Sequence, residues 1–316
     1  MKNLAATPAS ISRTRKRILI ISDIEGSSGC TTREAAKFMG KGWPHACLDM
    51  TRDVNRLTTG LLEAGADQVV VQDFHRTAHN IFTEQLNPSV VLKQGYAGGP
   101  VPGLGNPEGF DGLMMVGMHA PSGWQGFLPH TLTSRITAVR INGSLVSEGQ
   151  LFSAALSGSG IPPLFFSGCP DACAHTRMVL PDVSTFAIDK FHPDFHAGEW
   201  RKQLAETAVR ALDNREARPY NPSGPFEAVV TMAGGKPMAR RLAGRWGYPN
   251  HGSNVYLRVR DYAELYRKLA RLVFLSPVAE RMIPVLLPLY HLMGHAGLYW
   301  AKKKPLCCRN SDNQGA

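Results

Sequence analysis

The feature that most constrains the fold is a short aliphatic run that ends in two acidic residues. Ile18–Ile21 has no polar break, and Ser22-Asp23-Ile24-Glu25-Gly26 follows directly. Such a run, closed by turn-forming residues, predicts a strand that is buried on both faces. Successive side chains of a strand point in opposite directions, so Asp23 and Glu25 lie on the same side. Two neighbouring carboxylates repel each other and predict a cation, a proton or a basic partner, unless the strand end is simply solvated.

Strand and helix patterns then alternate along the chain, which predicts an α/β fold. Apolar residues at helical spacing over 48–64 separate the first strand from a second over 67–75, and a strand–helix–strand unit implies parallel strands. We therefore expect a mostly parallel sheet flanked by helices, with a smaller C-terminal α+β part. Residues 27–43 show no clear period, and we expect a loop with a short helix there. Further strands are predicted over 89–93, 111–118, 136–141, 164–167, 185–188, 226–232 and 254–259, and further helices over 148–156, 171–179, 197–212 and 261–274.

The net charge of +10 belongs mostly to the two ends of the chain. The first 17 residues carry a net charge of +5, and residues 296–316 carry +3, so the long central part is nearly balanced. A basic face for nucleic-acid binding is therefore not expected.

The six cysteines have no spacing typical of a disulfide framework, which favours a reducing compartment, and we expect a cytoplasmic protein. Cys169 and Cys173, followed by His175, allow a metal knuckle, but the loose spacing without a second pair favours ordinary buried thiols.

Candidate metal ligands follow three of the predicted strands. Asp23 and Glu25 follow the first strand, His75 the second and His119 the third. Because the carboxyl ends of parallel strands lie along one edge of the sheet, we expect these side chains to meet. Asp73 lies on the same side of its strand as His75, where it orients the imidazole or caps the next turn.

Two further candidates come from the region after the third of these strands. Ser147 is a suitable N-cap, so Glu148 begins a helix, where the helix dipole favours a carboxylate whether or not it binds a metal. His130 lies in a loop, where it is placed to act as a base, an acid or a nucleophile, unless it has no task.

These motifs, in this order, resemble the binuclear zinc D-aminopeptidases associated with dipeptide transport. The resemblance extends over about residues 17–275 and includes Asp261–Arg267. It is carried by Ser22-Asp23-x-Glu25-Gly26, Asp73-x-His75, Gly117-x-His119-Ala120, Pro129-His130-Thr131 and Glu148-Gly149.

The resemblance implies two zinc ions per subunit, with Asp23 between them, and a catalytic role for His130. The implied zinc ligands are Asp23, Glu25, His75, His119 and Glu148. Three carboxylates and two imidazoles suit zinc chemically. The resemblance also implies a small peptide or amino amide as substrate, N-terminal D-residues and a homodecamer. The alternatives are the same chemistry on a non-peptide amide, or a zinc-binding assembly protein without activity.

Four parts of the chain are expected. They are a flexible leader over 1–16, an α/β metal-binding catalytic domain over 17–220, a smaller α+β part over 221–276 and an apolar, basic appendage over 277–316. The leader lacks the apolar core of a secretory signal and only weakly resembles a transit peptide. Residues 282–300 contain no Lys, Arg, Asp or Glu, and we expect Pro284, Pro288 and Gly294 to interrupt any helix there. We expect this segment to pack on the surface or in an oligomer contact, with membrane-surface attachment as the alternative.

Overall fold

The computed structural model describes residues 16–304, and almost all of the predicted leader, together with Cys307 and Cys308, lies outside them. Its eleven strands among these residues are β1 (Arg17–Ser22), β2 (Gln68–Asp73), β3 (Val91–Lys93), β4 (Gly112–Met118), β5 (Ile136–Ile141), β6 (Ser144–Leu145), β7 (Pro163–Gly168), β8 (Ser184–Ala187), β9 (Ser223–Met232), β10 (Asn250–His251) and β11 (Asn254–Asp261). The helices are α1 (Trp43–Glu63), α2 (Glu148–Ser157), α3 (Pro170–Val179), α4 (Ala197–Ala211), α5 (Gly235–Gly244), α6 (Tyr262–Phe274), α7 (Pro277–Arg281) and α8 (Ile283–Lys302).

A six-stranded parallel sheet forms the centre of the molecule, in the order β3-β2-β1-β4-β7-β8. β1 lies inside this sheet, and its side chains alternate between two apolar cores. Ile18 and Ile20 pack with α1 and α4, whereas Leu19 and Ile21 face the core that contains α2. The expectation of a strand buried on both faces is confirmed.

A five-stranded antiparallel sheet, in the order β10-β11-β9-β5-β6, packs in the core on the α2 side. Asn142 and Gly143, both with positive φ, form the two-residue turn between β5 and β6, as the Asn-Gly pair predicts. β9 pairs with β5 although some 90 residues separate them. This sheet therefore joins strands from both sides of residue 220.

The structure corrects two expectations about helices. Residues 27–42 form turns and bends rather than a short helix, and α1 begins at Trp43, where Pro44 fits the first turn. α8 is continuous through Pro284, Pro288 and Gly294. Pro284 lies at the start of the helix, where its missing N–H has no intrahelical acceptor to lose, and Gly294 allows a close contact with the body.

The first turn of α6 makes a testable contribution to stability. Asp261 caps the helix by accepting a hydrogen bond from the Glu264 backbone N–H at 2.6 Å, and Glu264 accepts one from the Arg260 N–H at 2.8 Å. Burial raises the pKa of Glu264, but the bonds from Arg260 and Lys268 outweigh burial and lower it to about 2. Because the pKa in the folded state is depressed, this stability is present above the ordinary glutamate pKa and is lost as the pH falls towards 2.

We therefore expect Glu264→Gln to lower the free energy of unfolding by about 1–2 kcal/mol at pH 7 and by much less near pH 2.5. Urea unfolding at the two pH values measures this difference. Glu206→Gln, an exposed change on α4, is the control. An equal loss at both pH values would contradict the assigned ion pairs.

Candidate metal centre

Six candidate side chains meet at the carboxyl edge of the parallel sheet. Asp23 and Glu25 follow β1, and His75 and His119 follow the strands on either side of it, β2 and β4. Glu148 reaches the same place from the start of α2, and His130 from the loop after β4. The first five are at most 7% exposed, whereas the His130 side chain is 21% exposed. The predicted convergence of these side chains at one edge of the sheet is thus observed.

Close contact between the ends of β1 and β4 holds the two acidic residues in place. The Asp23 N–H donates to the Val116 carbonyl at 2.8 Å, and the Gly26 N–H donates to the Gly117 carbonyl at 2.7 Å. A Cβ at Gly117 would lie 2.0 Å from the Asp23 carbonyl oxygen, and Gly117 has φ +76°. Only glycine fits both the backbone conformation and the contact.

Asp23 lies between the two imidazoles. Its Oδ1 is 2.9 Å from His75 Nδ1, and its Oδ2 is 3.2 Å from His119 Nε2. A second carboxylate accompanies each imidazole: Glu25 Oε2 is 3.0 Å from His75 Nδ1, and Glu148 Oε1 is 3.4 Å from His119 Nε2. The cluster therefore has two halves, each with one imidazole and one glutamate, that share the Asp23 carboxylate.

Backbone carbonyl groups orient all three histidine rings. His75 Nε2 lies 2.8 Å from the Ala36 oxygen, His119 Nδ1 lies 3.1 Å from the Ala120 oxygen, and His130 Nδ1 lies 2.9 Å from the Leu128 oxygen. A carbonyl oxygen only accepts, so the facing nitrogen carries the proton. In a neutral ring, the other nitrogen then offers its lone pair to the cluster, which is the usual arrangement of a metal-binding histidine.

The charges of the cluster attract positive charge into its centre. Burial alone would lower the pKa of His75, but Glu25 and Asp23 outweigh it and raise the pKa to about 10. Burial likewise opposes the shift at His119, where Glu148 and Asp23 raise the pKa well above its ordinary value. Protons on these rings can balance the carboxylates, and so can metal ions that displace those protons.

Hydrogen bonding leaves part of the cluster unsatisfied. Glu25 Oε2 and His119 Nε2 are buried and have no hydrogen-bond partner, although carboxylate or imidazole atoms lie close to both. The ligand atoms of Asp23, Glu25 and His119 lie within 4.8 Å of one another, and so do those of His119, His130 and Glu148. Oxygen and imidazole donors at this separation fit zinc.

Asp73 takes one of the two roles that its spacing allows. It accepts hydrogen bonds from the Asn80 side chain at 2.9 Å and from the Asn80 backbone N–H, so it caps the turn after β2. The His75 imidazole is held by the Ala36 carbonyl instead. Burial raises the pKa of Asp73 to about 6, with the bonds from Asn80 opposing the shift.

Lys190 also belongs to the surroundings of the site and was not among the sequence candidates. Its buried Nζ donates to the Glu25 carbonyl at 2.5 Å and to the Ser27 carbonyl at 3.0 Å, and lies 4.4 Å from the centre of the Phe127 ring. It therefore fixes the backbone that carries Glu25. Its position three residues after β8, at the same sheet edge, was the signal that could have indicated it.

The close contact between Gly117 and the Asp23 backbone can be tested by adding a methyl group at Gly117. In Gly117→Ala, the methyl group must displace the Asp23 backbone, so we expect a loss of about 3 kcal/mol or more in stability. We also expect less zinc per chain after purification, because Asp23, a predicted zinc ligand, moves. Thermal unfolding and elemental analysis measure the two effects.

Gly143→Ala is the matched control, since Gly143 has φ +81° but no atom beyond its chain neighbours lies within 4 Å of the added methyl group. We expect the free energy of unfolding of this variant to fall by only about 1–2 kcal/mol and its zinc content to stay unchanged. Equal behaviour of the two variants would show that backbone strain, rather than contact with Asp23, is the cause.

Comparisons with known proteins agree with this fold. A sequence model described as D-aminopeptidase matches residues 16–270. The D-aminopeptidase of Bacillus subtilis (strain 168) is 25% identical over 199 residues, which make up 62% of this chain and 67% of that protein. A solved structure, described as the Zn-dependent D-aminopeptidase DppA from Bacillus subtilis, a self-compartmentalizing protease, superposes with a TM-score of 0.74 at 22% identity. That match covers 82% of this chain and 97% of the solved one.

Proposed function

The chain belongs to the D-aminopeptidase family, and we propose that it is a binuclear zinc aminopeptidase that cleaves small peptides or amino amides, including those with an N-terminal D-residue. The observation that carries the proposal is the Asp23 carboxylate with one oxygen beside each of two imidazoles. The names of both Bacillus subtilis matches support the aminopeptidase activity, and the description of the solved structure also supports zinc.

The proposed ligands divide between two ions. His75 and Glu25 would hold one ion, His119 and Glu148 would hold the other, and Asp23 would contribute to both. When bound, zinc supplies a Lewis acid that polarises a carbonyl group and lowers the pKa of a water molecule. The chain supplies three carboxylates, whose charge nearly balances two Zn²⁺ ions.

His130 has the position expected of a residue that handles a proton. Its ring stacks on His119 with the ring centres 3.7 Å apart, and its Nε2 is 4.0 Å from both Glu25 Oε1 and Glu148 Oε1. Since Nδ1 donates to the Leu128 carbonyl, Nε2 is the atom that accepts a proton, donates one or attacks the substrate. Among the six candidates, His130 is the most exposed, which suits contact with a substrate.

Chelation gives the direct test. We expect EDTA to abolish release of D-alanine from D-Ala-D-Ala, or of ammonia from a D-amino amide, and we expect added zinc to restore it. The same panel with L-isomers and with non-peptide amides defines the substrate class, and turnover of only a non-peptide amide would move the proposal to that alternative. Activity that EDTA does not reduce would contradict the metal mechanism.

We further propose that the protein is a homo-oligomer in the cytoplasm. The solved relative is described as self-compartmentalizing, which supports assembly, and the decamer implied by the sequence resemblance is the specific form proposed. The four described cysteines are free and buried, which suits a reducing compartment. Light scattering on the full chain tests the decamer, since it should give about ten times the mass of one chain.

A further inference from the structure

Two helices lie beyond the part of the chain that the family model matches. That match ends at residue 270, whereas α7 and α8 occupy residues 277–302. No helix within residues 16–304 is both long and apolar enough to cross a membrane. Neither helix carries a proposed zinc ligand.

One side of α8 is fixed against the body of the protein. Gly294 lies directly against His79, and Gly297 lies directly against Phe38. Trp300 stacks on Trp43 with the ring centres 6.4 Å apart. Gly297, Leu298 and Ala301 are among the buried residues of the helix. These contacts determine which side of the helix faces outwards.

The outward side of α8 is apolar along its whole length. We call it the outer stripe, and its large members, 43–66% exposed, are Met282, Val285, Leu286, Leu289, Leu292, Met293 and Tyr299. As far as Met293 they recur at intervals of three and four residues, and Tyr299 lies two turns after Leu292, so all share one side of the helix over about 26 Å. Val278 of α7 extends the apolar surface. Exposed apolar surfaces of this extent mark binding sites.

The charges around the stripe indicate what covers it. Residues 282–301 contain no Asp, Glu, Lys or Arg. Arg281 and Glu280, which pairs with Arg271, precede them, and Lys302, Lys303 and Lys304 follow. Lys302 pairs with Glu84, whereas Lys303 lies over the Tyr299 ring and Lys304 over the Trp300 ring. Helices that bind another helix in water usually flank the apolar seam with charges of both signs. An apolar helix face with lysine and aromatic residues at one end is typical of attachment to a lipid surface.

We infer that α8 is an interfacial helix that attaches the protein to an anionic membrane surface, with the outer stripe among the acyl chains and Lys303 and Lys304 at the headgroups. The helix lies in the plane of the surface, because its inner side is occupied by the body of the protein. The alternative is that a second copy of this chain covers the outer stripe, and the experiment distinguishes a membrane surface from a second copy.

The test is flotation of the zinc-loaded, full-length protein with vesicles of phosphatidylcholine containing roughly one third phosphatidylglycerol. We expect the protein to float with these vesicles at about 1 mM lipid and to bind pure phosphatidylcholine more weakly. The double variant Leu289→Glu and Leu292→Glu should lower the bound fraction more than tenfold, because each leucine loses its apolar environment and gains a charge. Lys303→Glu with Lys304→Glu should lower binding about fivefold or more per lysine.

Met178→Glu is the matched control, because Met178 is 69% exposed on α3, away from the stripe. It should bind vesicles like the unchanged protein. Circular dichroism shows whether each variant is folded. If the Leu289→Glu, Leu292→Glu variant does not fold, the Lys303→Glu, Lys304→Glu variant still tests the inference. Hydrolysis in free solution should be unchanged in every variant, so failure of this proposal is distinguishable from failure of the proposed function.

Absence of flotation with anionic vesicles would overturn the inference, and so would flotation that survives both double variants. If the unchanged protein does not bind vesicles and the Leu289→Glu, Leu292→Glu variant forms a smaller assembly in solution, the outer stripe is a contact between copies of this chain.

Discussion

Asp23→Asn is expected to remove most of the bound zinc and to lower kcat/KM by about 10³-fold or more. The substitution keeps the shape of the side chain but removes the negative charge beside both imidazoles. Each half of the cluster then has one carboxylate instead of two. The variant also replaces one of the two oxygen atoms that face the free nitrogens of His75 and His119, at 2.9 and 3.2 Å, by an amide NH2 group, which has no lone pair to offer a metal. Elemental analysis and hydrolysis of D-Ala-D-Ala measure the two losses.

The zinc content of single-histidine variants tests whether Asp23 is shared between the two halves of the cluster. His119→Ala and His75→Ala each remove a proposed ligand from one half only, so each variant is expected to lose about one of the two proposed ions, while Asp23→Asn is expected to lose about two. Asp213→Asn is the control, because Asp213 is exposed and pairs only with the surface residue Lys16 among its described contacts. If Asp23→Asn retained as much zinc as Asp213→Asn, the shared position of Asp23 would be disproved.

The place of the site followed from the sequence because a parallel sheet brings the ends of its strands to one edge. Asp23, His75 and His119 are far apart in the chain, yet each follows a strand whose aliphatic run identifies it. Ser147 indicated the start of α2 and therefore the position of Glu148. The structure shows the reciprocal cap, in which the Ser147 N–H donates to Gln150 Oε1 at 3.0 Å.

The groups that orient the histidines did not follow from the sequence, for a physical reason. They are backbone carbonyls of Ala36, Ala120 and Leu128, and every residue type offers such a carbonyl. All three residues lie outside helices and strands, in segments whose path depends on packing rather than on local periodicity. Leu128 even has φ +49°, a conformation that its side chain does not favour.

The local sequence pattern also could not predict which strands pair, or that α8 continues through a proline. Alternation of apolar residues predicts that β5 and β9 exist but not that they pair, because pairing depends on the burial of both in one core. In α8, Pro288 suggested a break, whereas contacts of Gly294 and Gly297 with the body stabilise a continuous helix. Tertiary contacts outweighed local propensity there.

Replacement of His130 by glutamine is expected to separate proton transfer from metal binding. Glutamine retains a polar side chain but cannot take up and release a proton near neutral pH, so kcat should fall about 10²–10⁴-fold. KM should change little, and zinc per chain should stay at the level of the unchanged protein. Steady-state kinetics over a range of pH, with elemental analysis of the same samples, measure all three.

The zinc content of this variant decides between two roles that the geometry permits. His130 Nε2 lies with the ligand atoms of His119 and Glu148 within 4.8 Å, so a metal at that position is within its reach. Its larger exposure and its equal distance of 4.0 Å from two glutamates favour contact with the substrate instead. His192→Gln, a change at an exposed loop histidine, should alter neither activity nor zinc. If His130→Gln lost an ion together with its activity, His130 would be a ligand, and the proton would have to be handled by one of the buried glutamates.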